Sequence, residues 1–378
     1  MTREVTLQNN LRRTRTRLGL SQQDLAGRAG VTRQTISGVE GGLYAPSATV
    51  ALRLAKALGC RVEDLFWLEE ALPEIEAVPA AGLPAGTGLR VALARVCGRW
   101  VAHSLMGDDG FRTELIPTDG EAAWDGQTAT LRVHTLDDPE NLYHSVMLAG
   151  CTPALSLWAR AAERWNPGLR VLWTFANSMD ALHRLARGDV HAAGVHLYDP
   201  ESGAFNVPFV QAVLPNRSVV LVNLGVWEEG IVVQPGNPKR LAGAADLAQP
   251  GLTIVNREPG AGSRQLLERM LCEEGIPFAS VQGFDSEVRG HIEVARAVAE
   301  GRADAGISAA AVAASFGLGF VPLHRARYDI AIPGDYMAEA PVQQLVSTLG
   351  HRRVREQLQM LGGYDTSQTG DIVAVVGE

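Results

Sequence analysis

Residues 258–270 read EPGAGSRQLLERM. A proline and two glycines lead into Ser263 and Arg264, and a helical period follows. The free N–H groups of a helix start, backed by a hydroxyl, form a cradle for an anion. Three more strand-to-helix turns repeat the arrangement: Cys151-Thr152-Pro153 behind VMLAG, Asn177-Ser178 behind LRVLWTF, and Ser286-Glu287-Val288 before GHIEVARAVAEG. Open α/β sheets bind ligands at such turns. A second chemistry lies near the other end. Arg33, Gln34 and Ser37 share the polar face of a short helix in SQQDLAGRAGVTRQTISGVE. Arginine matches guanine O6/N7 and glutamine matches adenine N6/N7 in the major groove of DNA.

The elements that must position these residues are legible from periods and caps. Residues 7–68 read as five short helices. Ser21 caps one with Asp24 three residues on, Thr32 and Ser47 cap two more, and Gly30 and Gly59 are stops. VEDLF is the fifth. Residues 71–88, rich in Pro, Ala and Gly, read as a linker. Residues 89–142 alternate apolar and polar between turn signals such as GDDG and read as a β-rich segment of unknown role. From 143 to 378 strands and helices alternate, which implies parallel sheets covered on both faces. Two blocks, 146–200 and 250–310, are joined by long apolar segments near 217–235 and 320–333. PVQQLVSTLGHRRVREQLQML reads as one final helix.

Charge supports this division. Residues 1–60 hold nine Lys/Arg against three Asp/Glu, a balance of +6, so a chain of net charge −8 carries −14 in the remainder. A small basic module on an acidic body implies a polyanionic partner. There is no apolar run of 18 residues, and the first twenty residues lack the apolar stretch of a signal peptide, so no membrane and a cytoplasmic location are expected. The four cysteines, Cys60, Cys97, Cys151 and Cys272, lie far apart with no CxxC pair and are expected to be free thiols. The nine histidines, His191, His196 and His291 among them, show no metal spacing, so no metal site or resident cofactor is expected.

Residues 7–68 resemble the Cro/phage-repressor-like (XRE-type) helix–turn–helix family. The resemblance implies Gln22 and Gln23 at phosphates, Arg33, Gln34 and Ser37 at bases, and Tyr44 and Ser47 as further phosphate contacts. Residues 143–365 resemble the type 2 periplasmic binding proteins, most closely the molybdate-binding branch. LAGCTPAL, ANSMDALHRLARGDVHAAGVHL, NREPGAGSRQLLERML, EVRGHIEVARAVAEGRADAGIS and RYDIAIP carry it. It implies two lobes closing on a small oxyanion held by Thr152, Ser178, Ser263, the Val288 N–H and Tyr328, with Arg264 close by. Cys151-Thr152-Pro153 departs from the serine that transport proteins usually offer there. Singly, Ser178 and Ser263 also read as good N-caps and Tyr328 as a strand tyrosine; the repetition at four helix starts points to a ligand.

The expected fold class is therefore multidomain: an all-α helix–turn–helix bundle (1–70), a linker, a β-rich segment, and an α/β two-lobed periplasmic-binding-protein-like domain (143–378). The expected function is that of a one-component transcriptional regulator, not an enzyme. It binds double-stranded DNA at a palindromic operator as a homodimer and senses molybdate or tungstate. One alternative keeps the architecture with an organic anion or amino acid as effector, for which Arg264 is the argument. Another is an enzyme of molybdenum-cofactor metabolism with an autoregulatory DNA-binding domain, against which stands the lack of a recognisable nucleophile–base pair or P-loop.

Overall fold

The computed structural model describes residues 7–68, 74–107, 115–136 and 138–377. Two compact units divide the chain, Met1–Leu72 and Pro73–Glu378. In the first, β1 (Leu7–Asn9) precedes four α-helices: α1 (Leu11–Arg17), α2 (Gln22–Ala29), α3 (Arg33–Glu40) and α4 (Ala48–Leu58). The expected caps are in place. Ser21 and Asp24 form a reciprocal capping box, and Thr32 and Ser47 accept from the N–H groups of Thr35 and Val50. Each cap contributes about 1 kcal/mol. Gly30 and Gly59 stop α2 and α4 in the left-handed conformation. Leu11, Leu25, Ile36, Val39, Leu54 and Leu65 fill the core. The fifth helix is not there. After a turn, β2 (Phe66–Leu68) pairs antiparallel with β1, because Leu65 and Phe66 are drawn into the core and the chain then runs alongside Leu7–Asn9.

The second unit begins with a closed five-stranded barrel: β3 (Glu74–Pro79), β4 (Gly86–Val96), β5 (Arg99–Ser104), β6 (Gly120–Trp124) and β7 (Leu131–Thr135). This corrects the linker at 71–88. Residues 74–79 alternate exposed Glu74 and Glu76 with buried Ile75 and Ala77, pairing with β7, and Gly86 opens β4. Proline and glycine content masked a strand pattern. Residues 71–73, and most of the GDDG turn, lie outside the described residues.

Lobe 1 follows with β8 (Ser145–Gly150), α5 (Ala154–Trp165), β9 (Arg170–Phe175), α6 (Ser178–Arg187), β10 (Ala192–Val195) and α7 (Val207–Val213). The long β11 (Val219–Val233) crosses to lobe 2, which holds β12 (Ile254–Arg257), α8 (Gly262–Glu273), β13 (Glu287–Val288), α9 (Gly290–Ala299), β14 (Ala305–Ala309) and α10 (Ala310–Ser315). The equally long β15 (Gly319–Pro333) returns. The two parallel blocks are thus fused into one sheet, ordered β13-β12-β14-β11-β15-β10-β8-β9, with the antiparallel pair β11–β15 as the shared hinge. Back on lobe 1, the expected final helix is two, α11 (Ala340–Ser347) and α12 (Arg352–Met360). Thr348 breaks it: its hydroxyl donates to the Leu345 carbonyl and accepts from the buried Trp158 indole, and Leu349 is buried beside it. The chain closes with β16 (Tyr364–Asp365) and β17 (Ile372–Val376) on β11.

Candidate functional site: an interlobe chamber and a DNA-reading face

In the first unit Arg33 and Gln34 begin α3, with Ser37 one turn on; all three are exposed, as is Gln23 on α2. The first turn of such a helix is the part that reaches base edges. The other expected contacts are engaged within the fold. The Gln22 amide donates to Glu40 Oε2 at 2.9 Å, the carboxylate that Arg15 also holds at 2.6 Å, so Gln22 braces α2 against α3. The Tyr44 hydroxyl donates to the Thr35 carbonyl at 3.2 Å while its ring covers Gly38, and Ser47 caps α4.

The second unit's site lies where lobe 1 meets lobe 2. The C-terminal ends of β8, β10 and β12 all open there, which is why residues far apart in sequence converge. The lobes touch directly. The Asn177 side chain donates to the Pro259 carbonyl at 3.1 Å and the Met179 N–H to the Gly260 carbonyl at 3.3 Å. A Cβ on Gly262 would fall 2.3 Å from the His196 carbonyl oxygen, and one on Gly290, where φ is +84°, 2.9 Å from the Phe175 ring. Only glycine permits either approach.

Thr152, Ser178, Ser263 and Tyr328 are all buried at this junction, as the sequence suggests, but their hydroxyls are used differently from expectation. Asn177, not Ser178, caps α6, and Ser178 Oγ accepts from the His196 N–H at 3.2 Å. Ser263 Oγ donates to Glu229 Oε1 at 2.5 Å, and Thr152 Oγ1 lies 3.0 Å from the Tyr364 hydroxyl. Tyr328 Oη sits beside the Thr152 N–H and Cys151 without a well-formed hydrogen bond to either. Val288 is half-buried in β13, paired with Arg257 in β12. Arg264 is a correction. Its guanidinium is claimed by Glu268 one turn on, by Glu287 and by the Arg257 carbonyl at 3.1 Å, and Phe284 lies under it, so it is engaged within lobe 2.

The residues that dominate the chamber were not singled out from the sequence as ligand-holding. Cys151 Sγ is 3.2 Å from His196 Nε2 and 3.7 Å from His291 Nε2. His196 Nδ1 is 3.5 Å from Glu229 Oε1, and His291 Nδ1 is 3.3 Å from Ser308 Oγ. Trp227 packs its ring 5.0 Å from both imidazoles and 5.1 Å from Tyr328. Arg257, at the end of β12, is 1 % exposed and ion-paired to Glu258 at 2.8 Å. Burial opposes charge on His196, but Cys151 and Glu229 push it up to about 10. Burial also opposes charge on Glu229, yet His196 and Ser263 hold it below the usual carboxylate range. Burial, with Arg257 and His196 adding to it, drives His291 well below the ordinary range, so it is neutral. The sequence shows no metal spacing among the histidines and no partner for Cys151, yet the fold brings Cys151, His196 and His291 within 4.8 Å of one another. Chain topology, not spacing, brings them together.

Trp227 Nε1, Arg257 Nη1 and Tyr328 Oη at this junction, with Arg269 Nε and His324 Nε2 beside it, are buried without a well-formed hydrogen bond within the protein, and His196 Nδ1 has only the long contact with Glu229. An unmet buried donor costs about 1–3 kcal/mol, more when charged, so such a concentration calls for a water, an ion or a ligand to complete it. Beside it, sharing His196 and Glu229, lies a cavity of about 350 Å³ between the lobes, walled by Tyr198, Phe205, His324 and, from α8, Arg269. Asp199 and Glu201 line its mouth from the turn read in the sequence.

Comparison with known proteins follows the same division. Residues 11–65 match the helix–turn–helix family and residues 159–350 match the PBP superfamily domain. The uncharacterized HTH-type transcriptional regulator YgzD of Bacillus subtilis is 45% identical over 64 residues, 17% of this chain and 97% of that protein. The uncharacterized protein YvgK of the same organism is 33% identical over 199 residues, 53% of this chain; the match spans 64% of YvgK's length. Among solved structures, a putative phosphate ABC transporter substrate-binding protein with bound phosphate from Clostridium perfringens is 11% identical with a TM-score of 0.46, covering 58% of this chain and 98% of that one. The sulfate-binding protein SubI of Mycobacterium tuberculosis is 16% identical with a TM-score of 0.45, covering 59% and 86%.

Proposed function

We propose that this chain, which belongs to the PBP superfamily and carries an HTH-type transcriptional-regulator domain at its N-terminus, is a one-component regulator whose effector binds between the two lobes. The observation that carries this reading is the set of buried, unpartnered polar atoms where the lobes meet. Arg257 Nη1 and Trp227 Nε1 are obligate donors and Tyr328 Oη is available as one, so the ligand they favour is rich in acceptors. A tetrahedral oxyanion, molybdate or tungstate, meets that description. Effector binding holds the lobes closed and, by linkage, changes DNA affinity by the same factor as DNA changes effector affinity. DNA is read by Arg33, Gln34 and Ser37. A homodimer on a palindromic operator supplies the contacts that one small reader lacks. The work of such a regulator is cytoplasmic and non-enzymatic.

One observation favours a second reading, an organic anion or amino acid. The cavity beside the chamber holds about 350 Å³, within the range of organic-ligand sites, and Arg269 over the Tyr198 ring offers it a cation. This replaces Arg264 as the argument for a carboxylate.

Thermal unfolding with molybdate, tungstate, sulfate, phosphate and a pool of amino acids separates the readings. A ligand at a hundred times its dissociation constant adds about 2.7 kcal/mol, a midpoint shift of a few degrees. A shift with molybdate and tungstate alone supports the metal oxyanion, and a shift only with an amino acid supports the second reading. No shift with any ligand overturns the chamber as an effector site.

A further inference from the structure

Cys151, His196 and His291 each present one ligand atom to a common centre, the three lying within 4.8 Å of one another. When a thiolate and an imidazole share a tetrahedral zinc, bonds near 2.3 and 2.0 Å set sulfur and nitrogen about 3.5 Å apart. The Cys151 Sγ to Nε2 separations of 3.2 and 3.7 Å bracket that value. The far side of each ring is also occupied as a metal-bound imidazole requires. His196 Nδ1 faces Glu229 at 3.5 Å and His291 Nδ1 faces Ser308 Oγ at 3.3 Å. An N–H donated from Nδ1 to such a partner fixes the tautomer and leaves the bare Nε2 toward the metal. Glu229 is in turn held by the Ser263 hydroxyl.

We propose that Cys151, His196 and His291 form a binding site for a thiophilic metal cation, zinc(II) in the first instance, that bridges the two lobes. Cys151 follows β8 and His196 follows β10 in lobe 1, whereas His291 lies in the first turn of α9 in lobe 2. The metal therefore fastens the closed arrangement directly. Three protein ligands leave one tetrahedral position open, in the same buried cluster as Tyr328 Oη and Arg257 Nη1. An acceptor-rich effector takes that position as an oxygen ligand; this last point rests on the effector reading above, while the metal site does not.

The same atoms present a rival. Cys151, His196 and Glu229 have the order of nucleophile, base and orienting carboxylate. The metal accounts for more of the geometry. A second Nε2, from His291, also faces Sγ, and a nucleophile–base pair gives it no task. Cys151 is also only 3 % exposed, with little surface for an electrophile to approach.

The probe is cobalt(II), titrated into the full chain carrying Cys60→Ser, Cys97→Ser and Cys272→Ser, so that Cys151 is the sole thiol. The expected result is a thiolate-to-cobalt charge-transfer band with intense tetrahedral d–d absorption, saturating at one ion per chain and displaced by zinc. His291→Gln weakens binding by at least tenfold, and Glu229→Gln, which alters only the far-side partner, weakens it 10–100-fold. Both variants are first checked for cooperative thermal unfolding. A folded protein without the thiolate band, or a band indifferent to His291→Gln, overturns the proposal. Molybdate-induced stabilisation is measured in parallel on metal-free and on cobalt-loaded protein. A molybdate shift without cobalt binding removes the metal site and leaves the effector reading. Cobalt binding without any anion shift retains the site and removes the effector reading.

Discussion

Lobe 1 is bounded by the barrel on one side and by lobe 2 on the other, and both contacts use buried histidines, carboxylates and arginines. At the barrel contact these groups are matched to one another. Arg170 holds both oxygens of Asp119, at 2.7 and 2.8 Å, and Asp119 also accepts from the Leu93 N–H. His191 Nδ1 accepts from the Met147 N–H at 2.9 Å and its Nε2–H donates to the Arg95 carbonyl at 3.1 Å, which fixes a neutral tautomer. Ala94, Val96 and Val101 of the barrel share one apolar core with Val146 and Leu148 of lobe 1. One buried polar atom there among the described residues, His103 Nε2, goes without a partner; where lobe 1 meets lobe 2 there are several, Trp227 Nε1, Arg257 Nη1 and Tyr328 Oη among them. The first contact is a weld, complete without a ligand. The second leaves buried polar groups that the protein alone does not satisfy.

The comparison breaks most severely with acid. Burial pushes His103 and His191 down to about 4, from 6.5 in the unfolded chain. Between these values the unfolded chain takes up protons that the folded one refuses. The stabilisation is thus complete above about pH 6.5 and falls away as pH drops toward 4, by about 3 kcal/mol for each histidine. Urea unfolding midpoints across this range are expected to fall steeply, more than the buried His291 at the other contact alone would give, so the fall is expected to shrink in His191→Gln; a profile that His191→Gln leaves unchanged contradicts the weld. Asp119→Ala comes next. It strands Arg170 and the Leu93 N–H and costs about 3 kcal/mol, yet the ligand-induced thermal shift of the effector persists. Arg33→Ala leaves stability alone and weakens specific DNA binding by about 1–3 kcal/mol, read by fluorescence anisotropy. Tyr328→Phe is the sharper test of the chamber. Removing an unpartnered buried hydroxyl leaves the ligand-free protein within about 1 kcal/mol of the parent, while effector affinity falls about tenfold, or about 1.4 kcal/mol, by calorimetric titration. Smallest of all, Arg264→Ala leaves effector affinity unchanged in the same titration, because Glu268 and Glu287 already engage that side chain.

What the sequence made legible is local. Ser21 with Asp24, Thr32, Ser47, Gly30 and Gly59 act within one helical turn, and each does what its position implies. The alternation of strand and helix beyond residue 143 and the long apolar segment around Val219–Val233 carry the α/β fold. Tertiary demands override local pattern elsewhere. Glu74–Pro79 is a barrel strand despite its proline-rich flanks, and Thr348 divides a continuous helical period to meet Trp158. The chamber was legible only in outline, in the four strand-to-helix turns. Its chemistry comes from Cys151, His196, Glu229, Arg257 and His291, in which the thiol and one imidazole are 140 positions apart. No spacing rule joins them; the ends of β8, β10 and β12 do. Arg257 left one local sign, a charged residue closing the otherwise apolar strand LTIVNR just before the glycine-rich turn.

The most direct test of a regulator with its effector between the lobes joins the two units in one assay. DNA selected by the full chain from a random pool is labelled, and its affinity is measured at fixed salt with and without whichever ligand shifts the unfolding midpoint. The expected change is about 5–150-fold, in either direction, and it is clearly smaller in Tyr328→Phe at a ligand concentration that just saturates the parent. An affinity that stays the same while the ligand demonstrably occupies the chamber would contradict it.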